Sequence, residues 1–168
     1  VYGTAKVVPM SESHMLQPQS PYSASKVAAD AVALSYHSSF DTQVVLGRPF
    51  NTYGPRQSRR AVIPTIITQL LNREYLDLGS TFPTRDFTYV TDIVDALLAA
   101  AKASAVGRVY NVGSGKTISV NDLVGLLGGD KVHIPKRPGE PDCTFADIER
   151  IRLELNWQAK VPIEEGVK

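Results

Sequence analysis

Cysteine is nearly absent from this chain of 168 residues, which contains a single one, Cys143. One cysteine excludes a disulfide framework and a cysteine-rich metal site. Long apolar runs are absent too, since the run at 96–101 is among the longest and is far too short to span a membrane. Neither sign of charge dominates, because 18 Lys and Arg face 17 Asp and Glu. We therefore expect no membrane span and no electrostatic binding of nucleic acid.

The rest of the composition is that of a globular protein, with 43% hydrophobic and 21% charged residues. The length suits one domain or a piece of a larger one. The chain begins Val1-Tyr2-Gly3, without the methionine, basic segment and apolar segment of a signal peptide. We expect a fragment of a longer enzyme, with the cytoplasm as its default location.

Helical and extended patterns alternate along the chain. The predicted helices begin at Pro21 and Thr91, span 62–72, follow a capping box at Ser119 over 123–127, and begin again after Asp147 and at Pro162. The predicted strands lie at 43–46, 75–78, 108–112 and 131–134, and a polar loop is predicted at 51–60. Alternation of this kind predicts an α/β fold with a largely parallel sheet.

Tyr22 and Lys26 are the first residues with a chemical pattern. Positions four apart share one face of a helix, so the phenol and the ammonium should lie side by side. A neighbouring ammonium favours a phenolate, and the lowered pKa makes such a tyrosine usable as a general base. A Tyr and a Lys at this spacing also occur by chance on many helices, so the pair needs a context.

Six ordered blocks of sequence supply that context. They read VYG at 1–3, SPYSASK at 20–26, RPFNTYGP at 48–55, TRDFTYV at 84–90, YNVG at 110–113 and RPGE at 137–140. Together they resemble the extended short-chain dehydrogenase/reductase superfamily, in its NAD-dependent nucleotide-sugar epimerase and 4,6-dehydratase branch. The resemblance covers essentially the whole chain. The wording around Asn51 and at 63–67 is most similar to sugar 4,6-dehydratases.

The resemblance implies a partial NAD-binding Rossmann domain, a doubly wound parallel sheet, together with a smaller α/β substrate-binding domain. Residues 1–50 would belong to the first, and residues 51–168 mostly to the second, with some segments returning to the Rossmann sheet. No G-x-G-x-x-G fingerprint occurs, so the N-terminal half of the cofactor domain is expected to be missing. We interpret the short run Gly113-Ser114-Gly115 as a turn.

The resemblance also implies roles for four residues near the cofactor. Tyr22 matches the catalytic tyrosine, which takes a proton from a sugar hydroxyl while the adjacent carbon gives hydride to NAD. Lys26 matches the lysine that binds the nicotinamide ribose. Pro49 and Phe50 match positions that line the nicotinamide pocket, although Phe50 suits core packing equally well.

Three further residues match positions that contact the substrate, a nucleotide-diphosphate sugar. Asn51 matches an asparagine that binds the diphosphate or the sugar, and its alternative is a turn residue. Arg85 matches an arginine that clamps the diphosphate, for which a planar guanidinium is well shaped. Its alternative is a salt bridge with Asp86. Asn111 is also expected to face the phosphates.

Two segments complete the expected substrate site. Arg137 matches a second arginine at the diphosphate, with Glu140 near the nucleoside ribose. Val62 and Ile63 align with the segment that packs on the nucleobase, where related proteins often have Asn or Lys followed by Leu. Because of this difference, the identity of the nucleobase in the substrate is left undecided. His14, His37 and His133 have no metal-ligand spacing, so we expect no metal site.

The function expected from the resemblance is a 4,6-dehydratase that acts through a 4-keto sugar. A UDP-sugar 4-epimerase is the alternative, because the residues that distinguish the two would precede Val1. A second alternative is a truncated fragment that binds a nucleotide sugar without converting it. The full-length enzyme is expected to be a homodimer.

Overall fold

The computed structural model describes residues 1–72, 76–78, 81–129, 131–133 and 142–168. The helices are α1 (Pro21–Phe40), α2 (Val62–Asn72), α3 (Val90–Lys102), α4 (Val120–Leu126), α5 (Glu149–Leu155) and α6 (Ile163–Gly166). The strands are β1 (Val45–Pro49), β2 (Asn51–Tyr53), β3 (Leu76–Leu78), β4 (Thr84–Arg85), β5 (Phe87–Tyr89), β6 (Arg108–Val112), β7 (Ile118–Ser119), β8 (Lys131–His133) and β9 (Cys143–Thr144). No helix within these ranges is both long and apolar enough to cross a membrane.

Parallel pairing dominates among the described strands. β1 pairs with β6, β2 with β5, β3 with β8 and β4 with β9, all in parallel. β4 also pairs with β7, and this ladder is antiparallel. Parallel strands need long crossover connections, which the intervening helices supply. The predicted α/β fold with a largely parallel sheet is therefore confirmed.

The chain passes from one strand pair to another at a single residue, Phe50. The Phe50 N–H donates to the carbonyl of Val112 on β6 at 2.9 Å, while the next N–H, of Asn51, donates to Asp86 at 3.1 Å. The end of β1 and the start of β2 are thus fixed to different partners one residue apart. This junction brings 49–51 together, where the sequence predicted site residues.

Two clusters of buried side chains form the cores. The first consists of Tyr53, Ile63, Ile66, Leu76, Leu78, Phe87, Leu123 and Val124. The second consists of Ile93, Ala96, Tyr110, Val112, Ile151 and Trp157. The first belongs to β2, β3, β5, α2 and α4, and the second to α3, β6 and α5, so each core joins elements that are far apart in the sequence. Core residues of α2 and α3 recur at helical spacing, as the sequence patterns predicted.

Helix α1 is well capped but poorly covered. The Ser20 hydroxyl accepts a hydrogen bond from the N–H of Ser23 at 3.1 Å, and Pro21 occupies the first helical position, where its missing N–H costs nothing. None of the helix residues is buried. Val32 is 58% exposed and Phe40 is 73% exposed. Several apolar residues of α1 therefore face solvent in this chain.

Several predicted boundaries differ from the structure. Helix α3 begins at Val90, one residue before the predicted start at Thr91, and has Tyr89 at its N-cap without a side-chain bond. The predicted loop at 51–60 is wrong at its start, where β2 forms. Asp147 precedes the N-cap Ile148, yet its Oδ1 accepts the N–H of Glu149 at 2.9 Å. The predicted strand residues 75 and 134 lie outside the described residues.

Candidate active site

Tyr22 and Lys26 lie side by side in the first two turns of α1, as their spacing predicted. The Nζ atom of Lys26 is 5.3 Å from the centroid of the Tyr22 ring, which is within the range of a cation–π contact. Tyr22 is 72% exposed, so its hydroxyl is accessible to a ligand. The arrangement can hold a positive charge beside a reacting phenol.

A cavity of about 470 Å³ lies beside Tyr22, and Lys26 is not part of its lining. Its lining includes Tyr22, Pro49, Phe50 and Asn51, all four of which the sequence placed in the site. Pro49 ends β1 and Asn51 begins β2, so the Phe50 junction forms one wall of the cavity. The structure thus brings together residues from two segments about 30 positions apart in the sequence.

Asn51 is held in place by hydrogen bonds from its own amide. Its Nδ2 donates to the carbonyl of Asp86 at 3.0 Å and to the Oγ1 of Thr144 at 2.7 Å. Thr144 lies on β9 and lines the same cavity. Because the Asn51 Nδ2 donates both hydrogen bonds, contacts with Asp86 and Thr144 of the protein itself fix the orientation of the Asn51 amide.

Arg48 lines the cavity as well, and the sequence reasoning did not find it. Its side chain is 8% exposed, and its Nε donates to the Asp30 carboxylate of α1 at 2.8 Å. Its Nη1 donates to the hydroxyl of Tyr2 at 3.0 Å. Burial raises the pKa of Tyr2, although the hydrogen bond from Arg48 opposes this effect. The sequence did contain a sign of this role, because Arg48 is a charged residue within the apolar run at 44–50.

Asn111 belongs to this buried network in the structure. Its Oδ1 accepts the hydroxyl of Tyr2 at 2.5 Å, and its Nδ2 donates to the carbonyl of Met10 at 2.8 Å. Its backbone N–H donates to the carboxylate of Glu12 at 2.9 Å. Asn111 is fully buried and is absent from the lining of the cavity. A contact with substrate phosphates remains a prediction for this residue.

Arg85 lines a second cavity, of about 320 Å³, whose wall also includes Ser114 and Lys116. Arg85 is paired across the sheet with Ile118 on β7 and with Thr144 on β9. Ile118 lines the second cavity and Thr144 lines the first, so β4 lies between the two. The structure does not bring Arg85 into the cavity of Tyr22, and its role at a diphosphate stays a prediction.

The run Gly113-Ser114-Gly115 wraps around a carboxylate of the chain itself. Asp86 accepts the N–H of Ser114 at 2.7 Å, the N–H of Gly115 at 3.3 Å and the N–H of Ala146 at 3.2 Å. The Ser114 hydroxyl donates to it as well, at 2.7 Å. Burial raises the pKa of Asp86, and these four donors oppose that change. The turn therefore binds an internal anion.

The remaining predicted substrate residues are divided between the core and the undescribed part of the chain. Ile63 is buried, and Val62 packs against the same core cluster at the start of α2. Their contact with a nucleobase is still a prediction. Arg137 and Glu140 lie outside the described residues. Where the structure is described, no three His, Cys, Asp or Glu side chains lie close enough together to hold a metal ion.

Comparison with known proteins identifies the family of this fold and site. The family model described as GDP-mannose 4,6 dehydratase matches residues 1–168. The chain belongs to this family. Among curated relatives, the dTDP-glucose 4,6-dehydratase of Streptomyces griseus is 35% identical over 99% of this chain and 53% of its own length. The chain thus spans about half the length of this relative.

Solved structures similar to this family member include both kinds of enzyme. The dTDP-glucose 4,6-dehydratase DesIV of Streptomyces venezuelae, with NAD and TYD bound, has a TM-score of 0.91 and 29% identity over 99% of this chain and 54% of that one. The UDP-glucose 4-epimerase of Thermotoga maritima, with UDP-glucose, has a TM-score of 0.92 and 30% identity over 99% of this chain and 57% of that one. The expected family is therefore confirmed.

Proposed function

We propose that this chain forms part of an NAD-dependent nucleotide-sugar 4,6-dehydratase in which Tyr22 accepts a proton from a sugar hydroxyl. The observation that supports this most is the contact between Lys26 and the Tyr22 ring at the edge of a cavity, in a chain that matches the family model from end to end. The positive charge of Lys26 stabilises the phenolate that a general base requires.

The residues around Tyr22 fit the nicotinamide end of NAD. Pro49 and Phe50 give the cavity an apolar wall against which a flat ring can pack, and Tyr22 presents its hydroxyl beside them. When bound, NAD accepts and returns a hydride. Tyr22 moves the proton of the sugar hydroxyl, and Lys26 is positioned to bind ribose hydroxyls and to hold the charge of the phenolate.

The proposed substrate is a nucleotide-diphosphate sugar. Asn51 lies in the Tyr22 cavity, where its position suits the sugar or the adjoining phosphate. Arg85 is buried, and its guanidinium is suited to two phosphate oxygens. Val62 and Ile63 are proposed to lie against the base, and Asn111, Arg137 and Glu140 to complete the site.

The test is Tyr22→Phe in the longer enzyme that carries this chain. The substitution removes the proton acceptor and keeps the ring, so kcat should fall by about 10²- to 10⁴-fold with little change in substrate affinity. Tyr36→Phe on the same helix is the matched control, because Tyr36 is also exposed and should leave turnover unchanged. Turnover like that of the wild type in Tyr22→Phe would contradict the assignment.

A 4-epimerase is the second candidate, supported by the likeness to the Thermotoga maritima enzyme. The two reactions differ in their products, since a dehydratase releases a 4-keto-6-deoxy sugar and an epimerase releases the C4 epimer. Nuclear magnetic resonance of the product after incubation with NAD and a nucleotide sugar separates them. Binding without any conversion would instead indicate a non-catalytic fragment.

The assembly and location of the enzyme are proposals as well. The exposed apolar residues of α1 support a homodimer in which a second copy covers this helix. The cytoplasm is the proposed location.

A further inference from the structure

We infer that Arg48 positions the Tyr22–Lys26 pair: by holding the Asp30 carboxylate, it keeps Lys26 from pairing with Asp30 and leaves it against Tyr22. The inference rests on the function proposed above, because it assigns Arg48 a task toward the two residues of that reaction. Arg48 is a positioning residue here, since it acts through Asp30.

The spacing on α1 gives Lys26 two competing neighbours. Tyr22 lies four residues before Lys26, and Asp30 lies four residues after it. Side chains four apart are neighbours on a helix surface, so the ammonium can reach either the phenol or the carboxylate. The helix alone does not decide between them.

The structure shows which partner each side chain has. The Asp30 Oδ2 lies 2.8 Å from the Nε of Arg48, and the two side chains are only 18% and 8% exposed. Among the described residues Lys26 forms no ion pair, and its Nζ lies over the Tyr22 ring. The carboxylate that could attract the lysine is therefore already occupied.

Arg48 is itself fixed by groups other than Asp30. Its Nη1 donates to the Tyr2 hydroxyl at 3.0 Å and to the carbonyl of Glu12 at 3.4 Å, and its guanidinium lies 5.2 Å from the centroid of the Tyr2 ring. Arg48 thus stays in place when Asp30 is neutralised. The reverse does not hold, because a largely buried Asp30 carboxylate without Arg48 has lost its ion-pair partner.

An Asp30 carboxylate that has lost Arg48 attracts a mobile cation within reach. Lys26 is exposed, lies on the same helix face and has a long flexible side chain, so it can turn from Tyr22 toward Asp30. Loss of Arg48 should then remove the charge from beside the phenol, although neither catalytic residue has been changed.

The first test follows Lys26 directly in the chain, without activity. Nuclear Overhauser contacts between the Lys26 ε-methylene and the Tyr22 ring should be present in the wild type and in Asp30→Asn, lost in Arg48→Met, and restored in the double variant. If Arg48→Met does not fold, Arg48→Gln, which also lacks the charge, is used in the same experiment. Unchanged contacts in the uncharged Arg48 variant would overturn the inference.

The second test measures turnover and melting in the longer enzyme. Arg48→Met should lower kcat by about tenfold with little change in KM, since a group misplaced beside the reacting atoms by about 1 Å can cost up to about 10²-fold. Asp30→Asn should lower the melting temperature and keep kcat, and the double variant should recover part of the kcat lost in Arg48→Met, because no carboxylate then competes for Lys26. If the ion pair only stabilised the fold, Asp30→Asn would lower kcat as Arg48→Met does, and that result would overturn the inference.

The two proposals fail in different ways. A wild-type enzyme that turns over no nucleotide sugar contradicts the proposed function, while the lysine contacts still decide the role of Arg48. If turnover depends on Tyr22 but the contacts between Lys26 and the Tyr22 ring are the same with and without Arg48, only the inference about Arg48 is contradicted.

Discussion

Gly113 shows how one missing side chain allows the sheet to close. A Cβ at this position would lie 2.4 Å from the Cβ of Ala146 and 2.8 Å from the Oδ2 of Asp86. Ala146 donates its N–H to that same carboxylate. The absence of a side chain therefore permits the close approach on which the Asp86 hydrogen bonds depend.

Gly113→Ala should consequently lower the free energy of unfolding by about 1–3 kcal/mol, as overpacking in a core usually does. Gly125→Ala is the matched control, because a Cβ there has nothing within 4 Å and Gly125 lies inside helix α4. That control should raise the free energy by up to about 1 kcal/mol. Urea denaturation of both variants checks the difference, and equal effects would contradict the packing argument.

Two buried tyrosines should make stability fall at alkaline pH. Burial, followed by the charge of Asp92, raises the pKa of Tyr53 from 10.0 to about 12. Burial and the hydrogen bond to Glu154 raise the pKa of Tyr110 to about 12 as well. Because the folded pKa exceeds the unfolded one, the stabilisation is complete below pH 10 and is lost as the pH rises toward 12.

Denaturation at a series of pH values, followed beside the phenolate absorbance, measures this loss. Tyr53→Phe and Tyr110→Phe should each flatten the pH dependence between about pH 10 and 12. A wild-type stability that stays constant over this range would show that the two phenols ionise freely.

At the scale of elements, α1 combines a well-capped N-terminus with an apolar surface that no other described element covers. The capping box at Ser20 fixes the first turn that carries Tyr22, while Val32, Tyr36 and Phe40 are more than half exposed. An apolar helix surface of this kind tends to pair with another apolar surface. We therefore expect the 168-residue chain to self-associate through α1.

Light scattering over a range of concentrations tests this expectation. The combined variant Tyr36→Lys and Phe40→Lys should shift the chain toward monomer. Leu153→Lys is the control, because Leu153 is 66% exposed on a different helix, α5, and its replacement should leave association unchanged. Association that both variants reduce equally would point to general stickiness instead of α1.

At the scale of the whole molecule, the chain holds the proposed nicotinamide end of a cofactor site without a pyrophosphate fingerprint. Tyr22, Pro49 and Phe50 share one cavity, whereas no G-x-G-x-x-G occurs in the 168 residues. The glycine-rich turn at 113–115 already binds Asp86. The phosphates of NAD thus have no glycine-rich turn to bind within the described residues.

The isolated chain should therefore bind NAD weakly or not at all. Calorimetric titration with NAD and, separately, with nicotinamide mononucleotide tests this, because the second ligand lacks the adenosine half. The two should bind equally weakly. Micromolar binding of NAD alone would contradict this expectation and would reveal an adenosine-binding site within the 168 residues.

The sequence predicted much of this arrangement where the determinants are local. The bounds of α2 match the predicted helix at 62–72, and the Tyr22–Lys26 contact follows from helical spacing. The short strands β4, β5, β7 and β9 were missed, because two or three residues carry little periodicity; β3 and β8, which are as short, nevertheless fall within predicted strands.

The parts of the site that depend on distant contacts were not predictable. Asp30 and Arg48 are 18 positions apart, and they pair because the fold brings β1 near α1 at this point. The Asp86 carboxylate meets a turn 28 positions later for a similar reason. A single sequence shows the charges but contains no record of which charges the fold brings together.

The junction at Phe50 connects two strand pairs at the wall of the cavity. Its N–H is tied to β6, and the next N–H is tied to the carbonyl of Asp86 beside β5, so the two strand pairs are connected there by one peptide unit. A movement of one pair against the other would therefore displace this peptide unit. Because Pro49, Phe50 and Asn51 also line the cavity, such a movement would change its width. The packing of the two strand pairs and the shape of the cavity therefore depend on the same peptide unit.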